Sequence, residues 1–194
     1  YYPNDGALTI NSSINSNEFC LYQTSIYPIY NFDGLRYFNS ITYLELNGGV
    51  DFSDISELNQ LNELRFYHNS SSILPDFSNL VNLTKLSFNC FDGDIPSLSS
   101  LINLEELTFW SNHNLTEIPN LSNLNNLQEL WIGDNLSLTQ ISNPLAPNLE
   151  VLYVYENPNL ISIPNLSFYN NLNDITISNN ISLLTIEGIA GLSN

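Results

Sequence analysis

Side chains able to do chemistry are few in this sequence, and most of them recur at one spacing. His68 and Cys90 stand 22 residues apart, and Glu106 and Glu129 stand 23 apart. Trp110, Trp131 and Tyr153 follow one another at 21 and 22 residues. A thiol beside an imidazole is the start of a nucleophilic dyad. Two carboxylates at short range suit glycoside hydrolysis. Clustered exposed aromatics suit partner binding. Whether any of these groups meet depends on a fold that brings residues about one such interval apart into contact.

The elements that would do so are visible as an internal repeat. The frame L-x-x-L-x-L, followed in most copies by x-x-N, occurs seven times. It reads Ile41-Leu44-Leu46, Leu61-Leu64-Phe66-Asn69, Leu83-Leu86-Phe88 and Leu104-Leu107-Phe109-Asn112. It continues as Leu127-Leu130-Ile132-Asn135, Leu149-Leu152-Val154-Asn157 and Leu172-Ile175-Ile177-Asn180. Successive copies start 20, 22, 21, 23, 22 and 23 residues apart. Each second half repeats too: Ile95-Pro96, Ile118-Pro119 and Ile163-Pro164 each precede a Leu-Ser pair. Periods of this length mean stacked units that share one core.

The spacing dictates the shape of the unit. Leu-x-Leu alternation is the period of a short strand with two side chains inward. The recurring Asn turns the chain, and stacked copies (Asn69, Asn112, Asn135, Asn157 and Asn180) form a buried ladder that satisfies otherwise orphaned amides. The Ile-Pro step suits an extended segment on the opposite side, since Pro donates no hydrogen bond. Units this short leave room there for extended segments and 3-10 turns.

These motifs resemble the leucine-rich-repeat family, nearest its short extracellular-type subclass, over residues 32–194. The resemblance implies an α/β, mostly β, repeat solenoid: a curved right-handed superhelix with a parallel sheet on its concave face and extended or 3-10 segments on the convex face. It also implies protein recognition on the concave face. Gly49 and Phe91 depart from the ladder Asn, and the first and third units are short, so irregularity is expected there. Residues 1–31 fall outside the frame and read as an N-terminal cap. The C-terminal end reads as uncapped, because Ile186, Ile189 and Leu192 match the back half of a unit and Asn194 falls one residue before the next expected Leu. An open apolar end invites self-association.

The frame sorts side chains into rows. Its outward positions bring Trp110, Trp131, Tyr153 and Tyr155 into one exposed aromatic patch, flanked by Glu106, Glu129 and other carboxylates, with Tyr67 in the same row as a further partner-binding candidate. Glu106 and Glu129 fall close enough to repel, which a basic partner or a cation would relieve. No EF-hand-like loop or Asp-rich repeat supports calcium, so the acidic rows read as a solvated face, with no metal and no cofactor. His68 and Cys90 fall on neighbouring units with no third orienting group, and paired carboxylates on an open sheet lack a pocket that excludes water. No enzyme is expected. Cys20 lies about three units from Cys90, roughly 15 Å along such a stack, beyond disulfide reach.

Composition narrows the partners. The net charge of -17 arises from scarcity of bases (three Lys and Arg) rather than from excess acid (20 Asp and Glu). Nucleic acids and anionic lipid surfaces would be repelled. No apolar run is long enough to span a membrane. The chain contains no Met, which suggests a removed leader. Eight Asn-x-Ser/Thr sequons point toward secretion and N-linked glycans. Asn11, Asn82, Asn114, Asn120 and Asn165 are the candidates for modification; Asn69, Asn135 and Asn180 are ladder residues. The expected role is extracellular recognition or adhesion of a protein partner, secreted or at the cell surface. The alternative is a structural subunit of an extracellular filament or coat, self-associating end to end.

Overall fold

The computed structural model describes residues 9–10, 18–22, 40–47, 53–69, 74, 76–91, 93–141 and 144–188. The alternating Leu-x-Leu segments form strands β3 (Tyr43–Asn47), β4 (Glu63–Asn69), β5 (Lys85–Phe91), β6 (Glu106–Trp110), β7 (Glu129–Gly133), β8 (Val151–Tyr155) and β9 (Asp174–Ser178). Before them come β1 (Thr9–Ile10) and β2 (Glu18–Tyr22). All nine make one sheet in sequence order. From β2 to β9 every pairing is parallel, as the repeat requires, and only β1 runs antiparallel, against β2.

The register brings equivalent frame positions side by side, so the core forms columns. Leu44, Leu64, Leu86, Leu107, Leu130 and Leu152 make one column, each no more than 2% exposed. The next column contains a spine of stacked rings. Phe66 and Phe88 lie 5.5 Å apart with planes 4° apart, and Phe88 and Phe109 lie 5.6 Å apart at 6°. Burying side chains of this size contributes roughly 1.5–3 kcal/mol each. The parallel sheet is thus the product of one apolar spacing repeated.

The far side of each unit is extended, with 3-10 turns at Ser53–Glu57, Phe77–Asn79 and Leu166–Phe168 and no α-helix among the described residues. Single parallel bridges, Glu117 to Gln140 and Gln140 to Ser162, link these segments. In four units the residue after the Pro of the outer segment is a cap. Asp76 and Asn165 accept from the N–H of Ser78 and Ser167, and Asn120 accepts from that of Ser122. Ser97 does the same for Ser99. An Asx or Ser side chain that accepts from the amide two residues on fixes such a turn locally. No described helix is long and apolar enough to cross a membrane.

Two expectations change. Segment 1–31 lies outside the repeat frame in sequence, yet β2 pairs in register with β3, aligning Phe19 with Leu44 and Leu21 with Leu46. The parallel sheet reaches into that segment, and the sequence hid it because its first frame position is Ser16 rather than an aliphatic residue. The third unit, expected to be irregular, carries a seven-residue strand in full register with its neighbours. Its shortening falls after the strand. Phe91 and Leu98 are seven residues apart, where Asn112 and Leu121 in the next unit are nine apart. Gly49, Ile189 and Leu192 lie outside the described residues.

Candidate aromatic binding surface

The interior ladder forms as its spacing predicts. Asn112, Asn135 and Asn157 are at most 1% exposed. Each Nδ2 donates to a carbonyl of the preceding unit: Asn112 to Phe88 at 3.0 Å, Asn135 to Phe109 at 3.1 Å and Asn157 to Ile132 at 3.0 Å. Asn180 likewise donates to Val154 at 2.8 Å. Each Oδ1 accepts the backbone N–H of the equivalent residue one unit earlier, from Phe91 to Asn112 and onward to Asn180. Phe91, which replaces a ladder Asn, keeps the backbone bond and packs its ring 5.8 Å from Phe88. Asn69 registers with Phe91, and its side chain lies outside the described residues.

The turn into the ladder has a recurring cost. The residue before it has positive φ in five consecutive units: Cys90, Ser111, Asp134, Glu156 and Asn179, all between 53° and 59°. Such left-handed backbone is unfavourable for residues other than Gly, Asn or Asp. The ladder bonds hold it in place.

On the sheet's outward face the frame brings Trp110, Trp131, Tyr153 and Tyr155 together. In the fifth frame position Trp131 and Tyr153 stack with centroids 4.0 Å apart and planes 13° apart. In the seventh, Trp110 and Tyr155 stack at 6.3 Å and 16°, although Gly133 stands between them in register. The glycine makes this possible. A Cβ there would sit 2.3 Å from the Trp110 ring, so the indole occupies the space a side chain would need. Trp110 remains 37% exposed. Tyr67 is not part of this group, because Asn89 separates it from Trp110 across the sheet.

The carboxylates divide into two sets. Glu63 pairs with Arg65, and Glu106 pairs with Lys85 on the neighbouring strand. Burial opposes the Arg65 charge, but its contacts with Tyr67 and Glu63 outweigh this and hold the guanidinium above its usual range. The Glu106 contact raises the Lys85 ammonium likewise. The other set sits at ring edges. Glu129 Oε2 accepts from Trp131 Nε1 at 3.2 Å, and Glu156 contacts the Tyr155 hydroxyl and raises its pKa. Glu106 and Glu129 are neighbours in register, as expected, and Lys85 relieves one of them. His68's side chain lies outside the described residues, so its relation to Cys90 does too. Among the described residues no group of three His, Cys, Asp or Glu could hold a metal ion. Cys20 and Cys90 fall on β2 and β5, three strand spacings apart.

A second asparagine ladder went unread in the sequence. Asn82, Asn103, Asn126 and Asn148, each immediately before a frame Leu, donate Nδ2 to carbonyls of Asn59, Val81, Ile102 and Asn125, at 2.8–2.9 Å. The recurring Asn-Leu dipeptide was its signal. Asn82, Asn103 and Asn126 of this ladder line a polar trough of about 740 Å³ where the strands begin, together with Thr42, Asn62 and Glu105. Among the sequon candidates, Asn82 is therefore a ladder residue, while Asn120 and Asn165 are caps. Asn114 is exposed, with no side-chain hydrogen bond among the described residues. Asn11 lies outside the described residues.

No protein-family model matches the chain, and no curated protein matches it. Solved structures of similar fold include the internalin inlF from Listeria monocytogenes, 20% identical with a TM-score of 0.48, over 86% of this chain and 66% of that one. Internalin C2 from the same organism is 21% identical with a TM-score of 0.43, over 84% and 80%. The leucine-rich-repeat domain of the type III effector XopL is 18% identical with a TM-score of 0.42, over 78% and 73%. The chain thus spans just under two thirds of the inlF structure.

Proposed function

We propose that this chain, a leucine-rich-repeat solenoid by its repeat and its registered parallel strands, is a non-enzymatic extracellular recognition module. It binds a protein partner through the outward face of the sheet and carries N-linked glycan on its far side. The observation that supports this is the cluster of four stacked aromatic rings on three adjacent strands, held half-exposed where a parallel sheet offers a rigid platform. Aromatic clusters of this kind supply large contact area at low entropic cost and dominate binding where they occur. The test is a screen of the whole chain against an array of extracellular proteins, repeated with Trp131→Ala. Loss of about 2 kcal/mol on that substitution is expected for the true partner. If every captured protein binds Trp131→Ala equally well, the sheet face is not the binding surface.

A second reading, end-to-end assembly into a filament or coat, draws on Ile181 and Leu184, which are 85% and 79% exposed in the last described unit. Electron microscopy of the purified chain separates the two, filaments favouring the second and isolated particles the first.

A further inference from the structure

We infer that the partner of the aromatic face presents a basic segment, with Arg or Lys side chains laid on the rings and met by carboxylates at their edges. This rests on the sheet-face reading above and adds the chemistry of the partner to it. Three features of the face carry the inference.

The first is the pairing of rings with acids. Glu129 accepts the indole N–H of Trp131, and Glu156 stands beside Tyr155 at the end of β8. A carboxylate at the donor edge adds negative potential to an aromatic face that already attracts cations. The second is the absence of internal neutralisation. Within the described residues the cations of the sheet, Arg65 and Lys85, are consumed by Glu63 and Glu106. Glu129, Asp134, Glu156 and Asp174 form no salt bridge among the described residues, and Glu129 has only the longer-range field of Lys85, whose contact is with Glu106. A neutral protein laid over these rings would strip water from unpaired carboxylates, which disfavours it. The third is the charge of the whole chain. At -17, a second copy is repelled from this face, whereas a basic segment is steered toward it.

The chain contains two tryptophans, Trp110 and Trp131, and both are in the cluster, so intrinsic fluorescence reads this face directly. The probes are three dodecapeptides in which Gly alternates with Arg, with Gln or with Glu. The Arg peptide should change the fluorescence saturably, with an affinity that falls as salt rises, and the other two should not. Glu129→Gln should weaken it about tenfold, the loss expected of a direct charge contact. Glu117→Gln, the same charge change on the outer segment, should weaken it less than twofold; Asp174→Asn serves as a second sheet-face variant. Equal effects of Glu129→Gln and Glu117→Gln would reduce the attraction to net charge and overturn the inference, as would no response to the Arg peptide. A Gln peptide that binds as well as the Arg peptide, and is lost in Tyr153→Ala, overturns the basic partner and leaves the sheet-face reading standing. Binding of both peptides that survives Tyr153→Ala removes both.

Discussion

Trp110 lies across Gly133, with ring atoms 2.3 and 2.4 Å from where that residue's Cβ would be, and so reaches Tyr155 two strands away. A side chain missing at one position sets the placement of a large one at another. The cluster is therefore written partly in a glycine, and Gly133→Ala is its most direct test. The added methyl group should displace the indole and cost about 1 kcal/mol through the lost stacking. Tryptophan emission should shift to the red as the ring enters water. An unshifted spectrum at unchanged stability would mean that Trp110 does not depend on the glycine.

The interior ladder should dominate stability over the second one. Asn135 makes bonds to Phe109, Asn112 and Asn157 in a site with no exposure. Asn135→Ala strands a buried carbonyl and a buried N–H, and should cost about 3–4 kcal/mol. Asn126 makes one bond, to Ile102, in the open, where water replaces the lost amide. Asn126→Ala should cost about 0.5–1 kcal/mol. Denaturant unfolding of the two variants measures the contrast, and equal losses would contradict the division.

Glycan occupancy should follow the hydrogen bonds rather than the sequon. Expressed through a secretory route, the chain should carry sugar at Asn114, whose amide is exposed, and none at Asn135, which is fully buried. Glycopeptide mass spectrometry reads each site. Sugar on Asn135 would place that residue outside the ladder.

The Lys85–Glu106 pair should make a small contribution that depends on alkaline pH. The Lys85 pKa is raised in the folded chain, chiefly by its bond to Glu106. Its stabilisation is therefore fully present below the ordinary lysine value and is lost as pH rises through the folded one. The pair is partly exposed, so solvent screening holds it at or below about 1 kcal/mol. The stability difference between the native chain and Lys85→Gln, followed from neutral pH into strong alkali, should shrink toward zero.

Much of this protein was legible beforehand, and what escaped did so for physical reasons. The apolar frame identified the strands, the inward columns and the ladder, because a period-two alternation repeated every 22 or so residues has one way to bury itself. The aromatic rows at Trp131 and Tyr153 followed from the same frame. Tyr67 shares their row but stands two strands from Trp110, since row membership does not count the strands between members. The caps at Asp76, Asn120 and Asn165 were visible only as a repeated Pro-x-Leu/Phe-Ser, and the sequons at Asn120 and Asn165 concealed the structural role of those two. Strand β2 escaped because it lacks the leading aliphatic residue, while its pairing with β3 depends on backbone groups that any sequence carries.

By itself, then, the sequence determined which residues stack upon which, because register in a solenoid is set by repeat spacing alone. What only the tertiary structure decided is how the outward side chains share the space between strands. Trp110 leans over Gly133, Lys85 engages Glu106, and Glu129 meets Trp131 rather than a cation. These choices turn on rotamers and on which neighbour is small or charged, and a linear pattern holds positions without holding directions.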